Sequence, residues 1–172
     1  RLADVPQAKV LDMGCGAGHA SCTAAGQVAE VTAYDLSSQM LEVVAAAAKE
    51  KGFSNIVTQQ GYAETLPFAD ASFDVVISRY SAHHWHDVGQ ALREVKRVLK
   101  PGGHFVIETP RYDTLMFRMM KHRERSVKCD GHIYFYTFDT LRRTYEKAGF
   151  TEVDTRAVGR TLSAERFLWN VG

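Results

Sequence analysis

Three glycines spaced two apart, Gly14, Gly16 and Gly18, follow a short apolar run and open a stretch of small residues. Glycine lets a backbone approach a ligand closely, and a turn that enters a helix aims N–H groups at what lies beyond it. The spacing is G-x-G-x-G, and His19 stands where a dinucleotide fingerprint needs glycine or alanine. That argues against a pyrophosphate on the helix start and so against a nicotinamide-dependent reductase. Asp35 ends the next apolar run, where a carboxylate accepts from both hydroxyls of a ribose. Turn and acid together point to an adenosine-type ligand with an unphosphorylated sugar; a tight turn and a loop acid are the plain alternatives. A second group, Arg79, Tyr80, His83 and His84, stands just after the fourth apolar run. Ligands of open α/β sheets meet at such strand ends. The cluster from His83 to Asp87 invites a metal reading, but neighbouring histidines cannot both point one way on a regular element, so no metal is expected.

The elements that must position these residues follow from periodicity. Short β-rich runs alternate with stretches of 3.6-residue period, the pattern of βαβ units on a parallel sheet. Strands are expected over 8–13, 30–35, 55–60, 73–78, 104–109 and 151–158. A helix is expected over 19–27, and another from a Ser37 or Ser38 cap through Lys51, stopped by Gly52. Asp87 is placed to cap a third, with Val88, Ala91, Leu92, Val95, Val98 and Leu99 on one face, ended by Pro101-Gly102-Gly103. A last helix starts at Thr137 or Asp139 and stops at Gly149.

Composition bounds the answer. The 172 residues are 45% hydrophobic and 24% charged, with a net charge of +1, which describes one soluble domain over 1–172 and excludes disordered and fibrous classes. Balanced charge disfavours a nucleic-acid partner, and no apolar run approaches the roughly 20 residues of a membrane span. Three cysteines without C-x-x-C spacing fit reduced thiols, and the expected compartment is cytoplasmic. The chain starts at Arg1, as a fragment would. Only 110–136 departs from the alternation. Six cations there against three acids give a local charge of +3, interleaved with Leu115, Met116, Phe117, Met119 and Met120. This segment reads as a lid over an apolar or acidic acceptor, as a homodimer contact, or as an ordinary helix with a basic face.

Val10-Leu-Asp-Met-Gly-Cys-Gly-Ala-Gly18, with Tyr34-Asp-Leu-Ser37 and Met40, resembles the class I S-adenosylmethionine-dependent methyltransferases. Gly61-Tyr-Ala-Glu-Thr-Leu-Pro-Phe68, Phe73-Asp-Val-Val-Ile77 and Arg97-Val-Leu-Lys-Pro-Gly-Gly103 are similar to further family stretches in the same order. Among subfamilies the ubiquinone/menaquinone biosynthesis C-methyltransferases are the most similar. The resemblance implies a doubly wound, mainly parallel, Rossmann-like α/β sheet. The family's N-terminal cap helix and its antiparallel last strand are not visible in the sequence. It further implies that Gly14, Gly16 and Gly18 surround the methionine moiety and that Asp12 helps hold its amino end. Asp35 would bind the ribose, Leu36 or Met40 would pack on the adenine, and Ala63 would offer its backbone to the ring edge. The family's acid before that alanine is replaced by Tyr62, so either Tyr62 stacks on adenine or Glu64 takes the acid's place.

Methyl transfer from a sulfonium is an in-line displacement, so the protein chiefly aligns the partners, and a base serves only an acceptor with a proton to lose. His83 or Tyr80 is the candidate base, and Arg79 the candidate contact to an acidic or enolate oxygen, or else a plain surface charge. His84 is expected to pack beneath the ligand or support the following helix. The sequence lacks the D/N-P-P-Y and Pro-Cys signatures of DNA-modifying relatives. The expected activity is methylation of a small organic acceptor at carbon or oxygen; the alternative is a protein that binds S-adenosylmethionine without catalysis.

Overall fold

β-Branched runs and amphipathic stretches alternate along the chain, and in the computed structural model, which describes residues 2–110, 138–158 and 164–170, they build one seven-stranded sheet. Its strands are β1 (Lys9–Met13), β2 (Glu30–Asp35), β3 (Ile56–Gln60), β4 (Phe73–Arg79), β5 (Leu99–Pro110), β6 (Glu152–Val158) and β7 (Ala164–Asn170). Their order is β3-β2-β1-β4-β5-β7-β6, parallel from β3 to β5. The helices are α1 (His19–Ala25), α2 (Ser38–Glu50), α3 (Val88–Val98) and α4 (Phe138–Lys147). A 3-10 turn, Leu2–Asp4, precedes β1.

The central strands are covered on both faces, so successive residues are buried in opposite directions. Leu11 and Met13 join Leu92, Val95 and Phe105 in the core beneath α3 and α4, whereas Val10 joins Ala24, Val31 and Ile77 on the other face. α3 lays Val88, Ala91, Leu92, Val95 and Val98 into the core, and the Asp87 carboxylate accepts from Gln90 N at 2.8 Å as its cap. α2 is capped the same way, Ser37 Oγ accepting from Met40 N.

Two expectations need correction. Pro101-Gly102-Gly103 does not separate α3 from β5: the strand begins at Leu99 and carries these residues as a bulge. Leu99 pairs with Phe73 and His104 with Val75, so extra residues are absorbed on the β5 side, with Gly102 at φ +74°. A Cβ on Gly103 would lie 2.8 Å from the Lys100 carbonyl oxygen. The last strand, not visible in the sequence, is present as β7. It is inserted antiparallel between β5 and β6, with Phe105 opposite Trp169 and Val153 opposite the same residue. The segment 110–136, with its lid and dimer readings, lies outside the described residues beyond Pro110. Among the described residues no helix is long and apolar enough to cross a membrane.

Candidate cofactor and acceptor cleft

The carboxyl ends of β1, β2 and β4 surround a cleft of ≈ 500 Å³, lined by the glycine turn, Asp35, Leu36, Met40, residues 61–64, Arg79 to Ser81, His84, Trp85 and His86. That volume falls in the range of about 300–1,000 Å³ typical of small-molecule sites.

The three glycines do different work. Gly14, at φ +72°, donates its N–H to the Tyr34 carbonyl at 2.8 Å, and a Cβ there would overlap the Ser81 side chain. Gly18, at φ +77°, starts α1, and a Cβ would meet Val44 Cγ2 at 2.7 Å, so it sets the packing of α1 on α2 and does not line the cleft. Gly16 has nothing within 4 Å of an added Cβ, so its backbone faces open space. Its N–H donates to Asp35 Oδ2 at 2.8 Å, while Ser37 N donates to Oδ1 at 2.9 Å. The carboxylate is thus oriented from both sides before any ligand arrives.

Asp12 lies deeper. It is 1% exposed on the central strand, accepts from Ser21 Oγ at 2.6 Å, and is outside the cleft wall. Burial pushes its pKa up to about 6, against the lowering effect of the Ser21 bonds. Cys15 lines the cleft as a thiol, its pKa driven up by burial and by the charges of Asp12 and Asp35, so it offers no thiolate at neutral pH.

Beyond Asp35 the wall is apolar. Leu36, Met40 and Tyr62 stay exposed there at 49%, 37% and 56%. The loop bearing Tyr62 is tied down from below. Tyr34, whose hydroxyl burial pushes up to about 12, donates to the Tyr62 carbonyl at 3.1 Å, and a Cβ on Gly61 would overlap that hydroxyl. Arg97 donates to the carbonyls of Leu66 and Phe68 and forks onto both oxygens of Glu94, which in turn accepts from Leu66 N. Glu64 serves the same scaffold: its Oε1 accepts from His86 N at 2.8 Å and Asp87 N at 3.1 Å, holding the start of α3. Ala63 lies between them on the wall.

On the opposite side, Arg79 Nε donates to Glu108 Oε2 at 2.7 Å and Tyr80 Oη to Glu108 Oε1 at 3.1 Å. Tyr80 sits at φ +53°, a conformation costly for a large side chain and common at functional sites, held by its own N–H bond to the Glu108 carbonyl. Ser78 and Ser81 hydroxyls meet at 2.6 Å, and Ser81 donates to the Met13 carbonyl, closing the strand ends together. Of the two histidines, His84 lines the cleft and His83 is buried at 5% behind it, the rings tilted 45° to each other with centroids 4.1 Å apart. Among the described residues no three His, Cys, Asp or Glu side chains converge as a metal site.

The structure therefore gathers Gly14, Gly16, Asp35, Leu36, Met40, Tyr62, Ala63, Glu64, Arg79 and Tyr80 around one cleft and sets Asp12, Gly18 and His83 outside its wall. Glu108 and Ser81 were not foreseen. Register pairs Arg79 with Glu108 across β4 and β5, and only that register reveals the acid. The fit to S-adenosylmethionine rests on Asp35, whose preset oxygens suit a sugar diol, and on the open backbone at Gly16.

Comparison with known proteins agrees. The family described as "Methyltransferase domain" matches residues 11–107. Uncharacterized protein YafE of Escherichia coli (strain K12) is 63% identical over 90 residues, 52% of this chain but 44% of that protein, so the chain spans less than half of that relative's length. Demethylmenaquinone methyltransferase of Lactococcus lactis subsp. lactis is 37% identical over 189 aligned positions, covering 97% of this chain and 75% of that one. Among solved structures, YcgJ of Bacillus subtilis superposes with a TM-score of 0.82 at 24% identity, over 96% of this chain and 92% of that one, a likeness of fold. With its glycine turn, Asp35 and the β4 strand end all inside the matched stretch, the chain belongs to the methyltransferase domain family.

Proposed function

We propose that the protein transfers a methyl group from S-adenosylmethionine to a small organic acceptor, at carbon or oxygen. The observation that carries this reading is Asp35, whose carboxylate is fixed by two backbone N–H groups at the mouth of the glycine turn. The name of the Lactococcus relative, a demethylmenaquinone methyltransferase, supports the same class of chemistry. When bound, the cofactor supplies an electrophilic methyl group on a sulfonium. The chain's task is alignment: Asp35 and Gly16 hold the nucleoside end, and the β4 end offers the acceptor its polar groups. Described bonds of Arg79 use only Nε, so its two terminal nitrogens are available to an acidic or enolate oxygen. Glu108 holds the guanidinium and the Tyr80 phenol in one frame.

The test is transfer of labelled methyl from S-adenosylmethionine to a panel of phenolic, enolic and quinol acceptors, with extraction of the labelled product. Transfer is expected, and Arg79→Ala should lower kcat/KM for acidic acceptors by about tenfold or more while cofactor affinity holds. Binding without transfer to any acceptor would favour the non-catalytic reading, and unaltered turnover in Arg79→Ala would remove that residue from the acceptor site.

A further inference from the structure

Successive side chains of a strand point to opposite faces, so neighbours such as Arg79 and Tyr80 do not ordinarily share a partner. Here they do. Tyr80 stands just past the end of β4 at φ +53°, and Glu108, opposite Arg79 in the β4–β5 register, takes both side chains. Its Oε2 accepts from Arg79 Nε at 2.7 Å and its Oε1 from Tyr80 Oη at 3.1 Å, while its backbone carbonyl accepts from Tyr80 N at 2.7 Å. The guanidinium carbon also lies 6.0 Å from the centre of the Tyr80 ring, within reach of a cation–π contact.

Glu108 is buried and outside the cleft wall, whereas Arg79 is partly exposed and on it. A carboxylate out of water must be paired, and each oxygen of this one is. Which atom of the arginine it holds decides what the arginine can do. With Nε fixed, no bond among the described residues uses Nη1 or Nη2, the nitrogens that fork onto an anion. A loose arginine would lose rotamer freedom on meeting that anion, and a held one has lost it already. Against this stands the charge of Glu108 itself, which repels an anion. Positioning and repulsion have opposite signs, so removing the carboxylate shows which of them governs the site.

We propose that Glu108 is a positioning residue of the acceptor site, holding the Arg79 guanidinium by Nε so that its two terminal nitrogens bind the ionised oxygen of an acidic acceptor such as a phenolate or enolate. The inference rests on the acceptor reading above and adds the residue that sets its preference for an anion.

The probe is 4-nitrophenol, whose ionisation is read by its own absorbance, added to the full chain saturated with S-adenosylhomocysteine. Bound to the parent, the phenol should ionise at least about tenfold more readily than in water, about one pH unit lower. Glu108→Gln keeps the shape of the side chain and should abolish most of that shift. On an Arg79→Ala background the same change should weaken nothing and should favour the phenolate, because there it only removes a repelling charge. Arg79→Lys keeps the ion pair but has one ammonium to divide between Glu108 and the ligand, so it should lose the shift as Glu108→Gln does, and it serves as the test if Glu108→Gln does not fold. The other charged or titratable groups on the cleft, Asp35, Glu64, His84 and His86, are common to parent and variants and cancel in the comparison.

A parental or larger shift in folded Glu108→Gln or Arg79→Lys would overturn the inference, since charge alone would then govern the site. So would equal effects of Glu108→Gln with and without Arg79, or a parent that leaves the phenol to ionise as it does in water. The probe need not be methylated, so the predicted shifts without methyl transfer to any acceptor would uphold this anion site and overturn only the catalytic reading. Failure of S-adenosylhomocysteine to bind would overturn the cofactor reading and this inference with it.

Discussion

Replacing Asp35 with alanine separates two jobs that one carboxylate performs. In the free protein it accepts from Gly16 N at 2.8 Å and Ser37 N at 2.9 Å, joining the glycine turn to the start of α2. Hydrogen bonds to a charged group contribute about 1.5–3 kcal/mol each when dry, but water can reach these half-exposed donors, so Asp35→Ala should cost only about 1–2 kcal/mol of stability. The ligand loses more in relative terms. A ribose diol that surrenders a charged acceptor should bind about 1–3 kcal/mol more weakly, or about 5- to 150-fold. Urea unfolding reads the first quantity and titration with S-adenosylhomocysteine the second. Loop distortion is separated from direct contact by repeating both titrations with 2′-deoxy and 3′-deoxy ligands. The parent should lose affinity for the deoxy ligands and Asp35→Ala should not lose it again, a coupling that only a direct contact produces. A folded Asp35→Ala protein with parental affinity, or additive losses in that cycle, would refute the ribose role.

Three further outcomes follow from packing and charge. Gly18→Ala places a Cβ 2.7 Å from Val44 Cγ2 at φ +77° and should cost about 2–4 kcal/mol, of which adding Val44→Ala recovers the overlap but not the backbone strain; a urea-derived loss under about 1 kcal/mol would contradict this. Arg97→Lys loses the fork onto Glu94 and the carbonyls of Leu66 and Phe68, so hydrogen exchange at the Leu66 amide should quicken at least about tenfold, while unchanged protection would show that the loop is held by other means. Asp12, raised by burial to about 6 from an ordinary 3.8, binds its proton more tightly folded than unfolded. Its favourable contribution is therefore complete below the unfolded value and is lost as pH rises to about 6, an effect of about 3 kcal/mol. Asp12→Asn keeps an acceptor for Ser21 and should flatten the stability difference between pH 4 and pH 7 by that order; an unaltered difference, read by urea midpoints, would contradict the burial effect.

What local sequence dictates was legible. The Asp87 and Ser37 caps act within three residues of themselves, and the amphipathic face of α3 needs only its own periodicity, so both appear where spacing puts them. Strand pairing is another matter. Pro101-Gly102-Gly103 carries the chemistry of a break, yet the sheet tolerates it as a bulge, with Leu99 paired to Phe73 before it and His104 to Val75 after it. β7 gave no sign because its place between β5 and β6 depends on partners more than fifty residues away on one side. The site shows the same division. Gly16 and Asp35 could be joined from motif spacing, whereas Glu108 behind Arg79 and Tyr80 depends on β4–β5 register. Glu64 was one of two candidates to face a base, and only the turn of His86 and Asp87 onto its Oε1 shows what that oxygen holds.

The central claim is that this cleft holds S-adenosylmethionine, and calorimetric titration of the purified chain with S-adenosylmethionine, S-adenosylhomocysteine and NAD tests it most directly. Binding of the first two with affinities in the micromolar range, about −8 kcal/mol, and no heat with NAD is the predicted result. Binding of NAD, or of none of the three to a folded chain, would contradict it.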